Sequence, residues 1–216
     1  CAIMGSFSAW AGVTLTEAND LCYAGGQGYG NSWNMYWCKC FTFPGAAGAV
    51  TFSYKYAVAC ETAFDYAYAI VDTTGNPDPS AGTGITLATY TGVVAGTDVF
   101  NLTPGVNLPS GAGETFCIWF NATSDGSYSD QDGLNPTVCG HSAFDDVTLS
   151  GAVTDASDYE AGANGWSQFI PVTGIGDYSN LVSRADLPPP AVFCACAAQD
   201  TVLVFFDQTF GHPLDQ

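Results

Sequence analysis

Residues 49–59 read AVTFSYKYAVA, a strict alternation that puts Val50, Phe52, Tyr54, Tyr56 and Val58 on one face and Thr51, Ser53 and Lys55 on the other. Side chains that alternate in this way line the two faces of a β-strand, whereas a helix turns about 3.6 residues at a time and would scatter them. The run is therefore read as a half-buried strand. Residues 64–72 (FDYAYAIVD) follow after a short turn and are expected to pair antiparallel with it. Further strand-like runs lie at 85–91, 97–102, 114–122 (ETFCIWFNA) and 143–149, each bounded by stretches rich in Gly, Pro, Asn, Asp and Ser. Helical periodicity is almost absent, residues 3–13 read as an opening strand, and residues 16–20 read as a polar loop. The pattern predicts an all-β, antiparallel sandwich.

Within that sandwich, residues 1–44 form a cysteine- and aromatic-rich segment that joins the core of residues 45–151. Residues 152–216 are a C-terminal extension in which YEAGANGW (159–166) reads as the start of a second unit and 186–190 as a stiff extended segment. The most hydrophobic strand candidate, TVLVFFD at 201–207, stands nearly alone. An apolar strand needs a partner, so Thr201, Val202, Leu203, Val204, Phe205 and Phe206 are expected to be donated to the sheet of a neighbouring copy.

The net charge of −18 arises because only Lys39, Lys55 and Arg184 oppose 21 carboxylates. Nucleic-acid binding needs a basic stripe, and none is present. Anionic membrane surfaces are disfavoured for the same reason, and no run approaches the roughly 18 apolar residues of a spanning helix. The expected partners are other copies of the chain, neighbouring extracellular domains and glycans. Nine cysteines point to an oxidising compartment, hence to an extracellular or cell-surface location. The disulfide candidates are Cys22, Cys38, Cys40, Cys60, Cys117, Cys139, Cys194 and Cys196. Because the total is odd, at least one thiol stays free or pairs outside the chain. Cys38/Cys40 and Cys194/Cys196 are not expected to bridge within each pair, since alternate residues point the same way. Together the four could offer zinc a tetrahedral set, although the usual ligand spacing is missing.

Two groups of residues are candidate binding sites. Asp125, Asp130 and Asp132 lie in one glycine-broken loop, and Asp145 and Asp146 lie side by side in the strand that follows. Glu17 and Asp20 add carboxylates near the N-terminus. Calcium takes about six to eight oxygens, and the EF-hand order is not met, so a site would be assembled from separate segments. The expectation is one structural Ca2+ on Asp145 or Asp146 with a carboxylate from the loop or the N-terminal segment. Trp33, Tyr36 and Trp37 are the second group. They could present a stacking face for sugar rings, or they could fill the core. GGQGYG at 25–30 lacks the strand-then-helix context of a nucleotide loop and reads as a turn. Asn101 and Asn121 head glycosylation sequons.

Catalytic signatures are missing: there is no HExxH, no GxSxG and no phosphate loop, and His141 and His212 stand outside any such motif. Glu61 and Asp65, on what would be facing strands, are the one carboxylate pair that could be considered for glycoside cleavage. A non-catalytic protein is expected.

The segments AVTFSYKYAVACETAFDYAYAIVD, GETFCIWFNATSDGSYSDQDGL and SAFDDVTLSG together resemble the secreted jelly-roll modules of the MAM and carbohydrate-binding type, found in bacterial extracellular proteins beside immune-inhibitor-A-type peptidases. The resemblance covers residues 45–151. It implies a jelly-roll sandwich whose closing paired aspartates ligate a structural calcium, and YEAGANGW is similar to the opening of a following unit. The function it implies is that of an extracellular structural or adhesion module, for instance a subunit of a surface filament. The alternative is a carbohydrate-binding module of a larger secreted enzyme.

Overall fold

The computed structural model describes residues 8–21, 23–77, 83–137, 140–169, 179–181, 206–207 and 212–213. In chain order the elements are β1 (Ala9–Ala11), α1 (Leu15–Asp20), β2 (Asn34–Thr42), β3 (Val50–Ala59), β4 (Tyr66–Asp72), β5 (Gly84–Tyr90), β6 (Val93–Leu102), β7 (Thr115–Thr123), β8 (Ser142–Gly151), β9 (Asp155–Ser157), β10 (Ser167–Phe169), β11 (Ser179–Leu181), β12 (Phe206–Asp207) and β13 (His212–Pro213). They form two antiparallel sheets. One runs β11-β1-β8-β3-β6 with β9 added on β8, and the other runs β10-β2-β7-β4-β5; β12 and β13 make a separate small ladder. The central orders 1-8-3-6 and 2-7-4-5 are those of a jelly roll. They arise when a long antiparallel ribbon, paired β1·β8, β2·β7, β3·β6 and β4·β5, is wrapped so that successive strands enter opposite sheets.

The all-β sandwich is as the alternation predicts, but one pairing is not. β3 and β4 do not pair with each other: β3 lies between β6 and β8, and β4 between β5 and β7. Alternation identifies which face of a strand is buried and carries no information on its neighbour. Here both apolar faces are buried against one another across the sandwich, and the turn at 60–65 crosses between the sheets.

Aromatic rings fill the space between the layers. Phe120 stacks on Phe144 at 4.1 Å and 13°, and the Tyr54 ring meets Phe120 edge-on at 5.0 Å. Each such side chain withdrawn from water contributes about 1.5–3 kcal/mol. Residues 159–166 pack onto the sandwich. β9 pairs with β8 and β10 with β2, and Trp166 is buried with its ring stacked on Phe120 at 5.3 Å. The Lys39 ammonium, on the inward face of β2, meets Asp155 of β9 at 2.8 Å and so ties the two sheets.

Residues 16–20, expected as a polar loop, belong instead to α1, with Thr14 as its N-cap. Thr14 Oγ1 accepts from the Glu17 N–H at 3.3 Å, and Glu17 Oε2 accepts from the Thr14 N–H at 2.7 Å, a capping box that satisfies two otherwise unpaired donors. Six residues are too few to show helical periodicity. No helix among the described residues is long and apolar enough to cross a membrane. Of the apolar run at 201–206, only Phe206 belongs to the described residues.

Candidate functional site

At one end of the sandwich the β3–β4 turn meets the loop that leaves β7. The turn carries Glu61 and Asp65, with the Asp65 N–H donating to the Glu61 carbonyl at 3.2 Å. The loop is pinned by Ser124, whose hydroxyl donates to the Gly30 carbonyl at 2.6 Å and accepts from the Trp33 N–H at 2.8 Å. Asp125 comes next, and its N–H donates to Asp65 Oδ1 at 2.8 Å. The result is a group of three carboxylates, Glu61, Asp65 and Asp125, with an oxygen of each within 4.8 Å of the others.

Tyr29 stands behind this group. Its hydroxyl donates to Asp65 Oδ2 at 2.6 Å and accepts from the Glu61 N–H at 3.0 Å and from Asn135 Nδ2 at 3.1 Å. Asp65 is fully buried, and desolvation raises its pKa against the hydrogen bonds it accepts. Glu61 is also raised, by desolvation and then by the charges of Asp125, Asp65 and Asp132. The Tyr29 phenol is pushed far above its ordinary range, again by burial first, so it is a fixed donor. Among the described residues the ion pairs are Lys39–Asp155 and Lys55–Asp146, so no cationic side chain relieves the trio. Three carboxylates at this spacing offer a hard cation part of the about six to eight oxygens that calcium takes.

The other predicted ligands are engaged elsewhere. Asp130 is buried and accepts from the Tyr29 N–H at 2.9 Å and from Thr137 through its N–H at 2.6 Å and its hydroxyl at 2.8 Å. It lies so close over Gly28 that a Cβ there would stand 1.9 Å from its carboxyl carbon, which explains the glycine. Asp132 accepts from the N–H groups of Tyr128, Ser129 and Leu134; desolvation works against it, but these bonds carry its pKa below the usual carboxylate range. These two aspartates build the loop.

Asp145 and Asp146 are not brought to that loop, which corrects the expectation of a shared site. Asp145 is buried in β8, accepting from Ser8 Oγ at 2.8 Å and from the Asp146 N–H at 2.7 Å. Asp146 sits at a β-bulge opposite β3 with φ of 47°, which turns its carboxylate onto Lys55 at 2.7 Å. Glu17 is committed to its capping box, and the Asp20 side chain lies outside the described residues. Glu61 and Asp65 occupy one turn, not facing strands.

Trp33 and Trp37 are 2% and 5% exposed and belong to the core, so the expected three-ring platform does not form. Alternation along β2 puts Tyr36 alone on the outer face, edge-on to Trp119 at 6.4 Å. Register places Tyr36, Asn121 and Tyr68 in one row across β2, β7 and β4, with Tyr66 stacked on Tyr68 at 5.8 Å. Asn121 is buried mid-sheet and donates to Asn34 Oδ1 at 3.1 Å and to the Met35 carbonyl at 2.9 Å, so its sequon is closed in the folded protein; Asn101 is exposed on β6.

Of the cysteines, Cys40 and Cys117 face each other across β2 and β7 and form a disulfide. Cys38 and Cys60 are free and buried, contrary to expectation, and burial pushes both thiols up to about 12. Cys22, Cys139, Cys194 and Cys196 lie outside the described residues.

Among the described residues β6 is the terminal strand of its sheet; it is ten residues long and its register with β3 is unbroken from Val93 to Leu102. Val93 and Val99 are 86% and 61% exposed. No model of a known protein family matches the chain, and no curated protein matches it. Alternation places these two valines on the solvent face, and the sequence carries no signal that the strand is an edge. Tyr29 as the pivot of the carboxylate group is equally unannounced, because it follows a glycine-rich turn with no motif of its own.

Proposed function

We propose that the protein is a non-catalytic structural module of an extracellular assembly, in which copies join by adding a strand to the free edge at β6. The observation that carries this reading is the edge itself. Sheet edges are ordinarily blunted by lysine, proline, bulges or short length. β6 has no lysine, proline or register shift, and its single charge, Asp98, accepts a hydrogen bond from the Tyr90 hydroxyl. The occupant we assign is the uncharged run Thr201–Phe206 of a second copy, whose valines and phenylalanines match the valines exposed on β6. The test is sedimentation and negative-stain microscopy of the purified chain. Wild type should form multimers or filaments, and Val93→Lys/Val99→Lys should return it to monomers with an unchanged melting temperature. A wild type that stays monomeric at high concentration overturns the reading.

In the same reading Glu61, Asp65 and Asp125 hold a structural Ca2+ that clamps the β3–β4 turn to the loop after β7. Their convergence within 4.8 Å supports this. A second reading, glycan binding, is favoured by the Tyr36–Asn121–Tyr68 row and the neighbouring Tyr66 on the outer face of the other sheet. Tyrosines side by side on an outer sheet face offer ring stacking and hydroxyl hydrogen bonds to a sugar. Retention on a glycan array that disappears in Tyr68→Ala would favour it over assembly.

A further inference from the structure

The outer face of the β2–β7 pair carries three sulfur atoms that the proposed assembly does not use. We propose that Cys38, Cys40 and Cys117, once the Cys40–Cys117 disulfide is reduced, form a three-thiolate site for a soft divalent cation of the zinc class.

The geometry is set by the sheet. Cys38 and Cys40 are two apart on β2 and share its outer face, and Cys117 stands directly opposite Cys40 on β7. All three sulfurs lie within 4.8 Å of one another, and Cys38 Sγ is 3.9 Å from Cys40 Sγ. Zinc holds thiolates at about 2.3 Å in a tetrahedron, which places its sulfurs about 3.8 Å apart. The spacing a shared metal demands is therefore already present between Cys38 and Cys40, and opening the disulfide lets Cys117 move to the same separation. Both strands are interior to their sheet, β2 between β10 and β7 and β7 between β2 and β4, so reduction removes one covalent bond and leaves the ligand backbone in its ladder.

A second observation points to a ligand at the same place. Trp119 faces Cys38 in register, and its indole N–H is buried without a conventional hydrogen-bond partner. Its side chain packs with Cys38 and Cys117 in one buried cluster on that face. A buried, unpartnered N–H packed among sulfurs is the kind of outer-shell donor that a metal-bound thiolate accepts from. Access is one-sided: Cys38 and Cys117 are buried and Cys40 is exposed, so a fourth position is left open to water on the Cys40 side. The neighbouring Asp72 does not compete as a ligand, because its carboxylate already accepts from Thr74, Asn76 and Thr83.

Two equivalents of a small-molecule thiol give the disulfide two electrons and two protons and leave as their own disulfide. The three protein thiols then lose three protons to solvent as the dication binds, giving a complex of net charge −1.

The test uses Co2+ as a spectroscopic stand-in for zinc. The full chain is reduced anaerobically, freed of reductant and titrated in parallel with the Cys38→Ala variant. The reduced wild type should bind one equivalent more Co2+ than the variant, with thiolate-to-cobalt charge-transfer absorption, and the oxidised wild type should lack that equivalent. Equal stoichiometry and equal absorption in the two reduced proteins overturn the proposal. If reduction loosens the fold, the same site is read by refolding the reduced chain with Zn2+ or with chelator. Zn2+ must restore the near-ultraviolet circular dichroism of the wild type more fully than that of Cys38→Ala, and the same recovery in both overturns it.

Discussion

The two acidic regions of this molecule meet opposite fates. In β8, Asp145 and Asp146 are adjacent in sequence, yet neither lacks compensation: Asp145 accepts two hydrogen bonds and Asp146 is turned by a bulge onto Lys55. At the end of the sandwich, Glu61 and Asp65 from one turn and Asp125 from another loop converge, and among the described residues no cationic side chain pairs with them. A run of aspartates thus says little about cation binding. Hydrogen bonds do not separate the two regions, since Asp65 accepts two as Asp145 does; what differs is that three carboxylates from two loops converge at the end of the sandwich, while in β8 the second charge is turned away onto a lysine.

The largest effect expected on the uncompensated side is acid sensitivity through His141, which packs edge-on against Tyr29 at 5.1 Å. Burial holds its pKa down at about 4 against an ordinary 6.5. Its contribution is therefore fully present above pH 6.5 and is lost as pH falls toward 4, a shift worth about 3 kcal/mol. Denaturant unfolding at pH 7 and pH 4 measures it, and the acid loss should be smaller in His141→Phe. If that variant loses as much as wild type, the acid sensitivity lies elsewhere.

Next in size is the response to calcium. At a hundred times its dissociation constant, Ca2+ should stabilise the protein by about 2.7 kcal/mol, or raise the melting temperature by about 5–10 °C. The comparison demands that Glu61→Gln/Asp125→Asn abolish this gain and that Asp146→Asn leave it intact. If Asp146→Asn removes it, the two regions have been assigned the wrong way round. The pKa values of Asp65 and Glu61 are raised in the cation-free fold, so what they contribute is present below the ordinary carboxylate range and is lost as pH rises through their folded values. The calcium response should therefore be greatest near neutral pH and shrink in acid.

A smaller loss, about 1–3 kcal/mol, is expected of Tyr29→Phe, which leaves Asp65, the Glu61 N–H and Asn135 without their shared hydroxyl. Chemical denaturation resolves a change of that size. Smallest of all is Lys55→Met: its ion pair with Asp146 is about one-third exposed, and breaking it should cost no more than about 1 kcal/mol. A larger loss would mean that β8 depends on the pair more than its exposure implies.

Much of the sandwich is legible in the sequence because a strand's buried face is a local property. Phe52, Tyr54 and Val58 are inward as their alternation predicts. Partnership is not local, which is why β3 and β4 fall in opposite sheets. The short capping box at Thr14 and Glu17 was present in the residues but is overshadowed by the absence of a periodic stretch. The carboxylate group was half visible: Glu61 and Asp65 stand out as a pair, but nothing links them to Asp125, sixty residues on. Only the crossing of two loops brings them together.

The wrapped ribbon also sets the order in which the molecule can be made. β4·β5 and β8·β9 pair neighbours in the chain, whereas β1 waits for β8 and β2 for β7. Contacts of such long range form slowly, and during synthesis the early strands leave the ribosome well ahead of their partners. Cys40 is separated from Cys117 by 77 residues, and throughout that interval Cys38 is the nearer thiol in sequence. Oxidation that runs ahead of sheet assembly therefore joins the wrong sulfurs, and correct pairing depends on the β2·β7 ladder closing first.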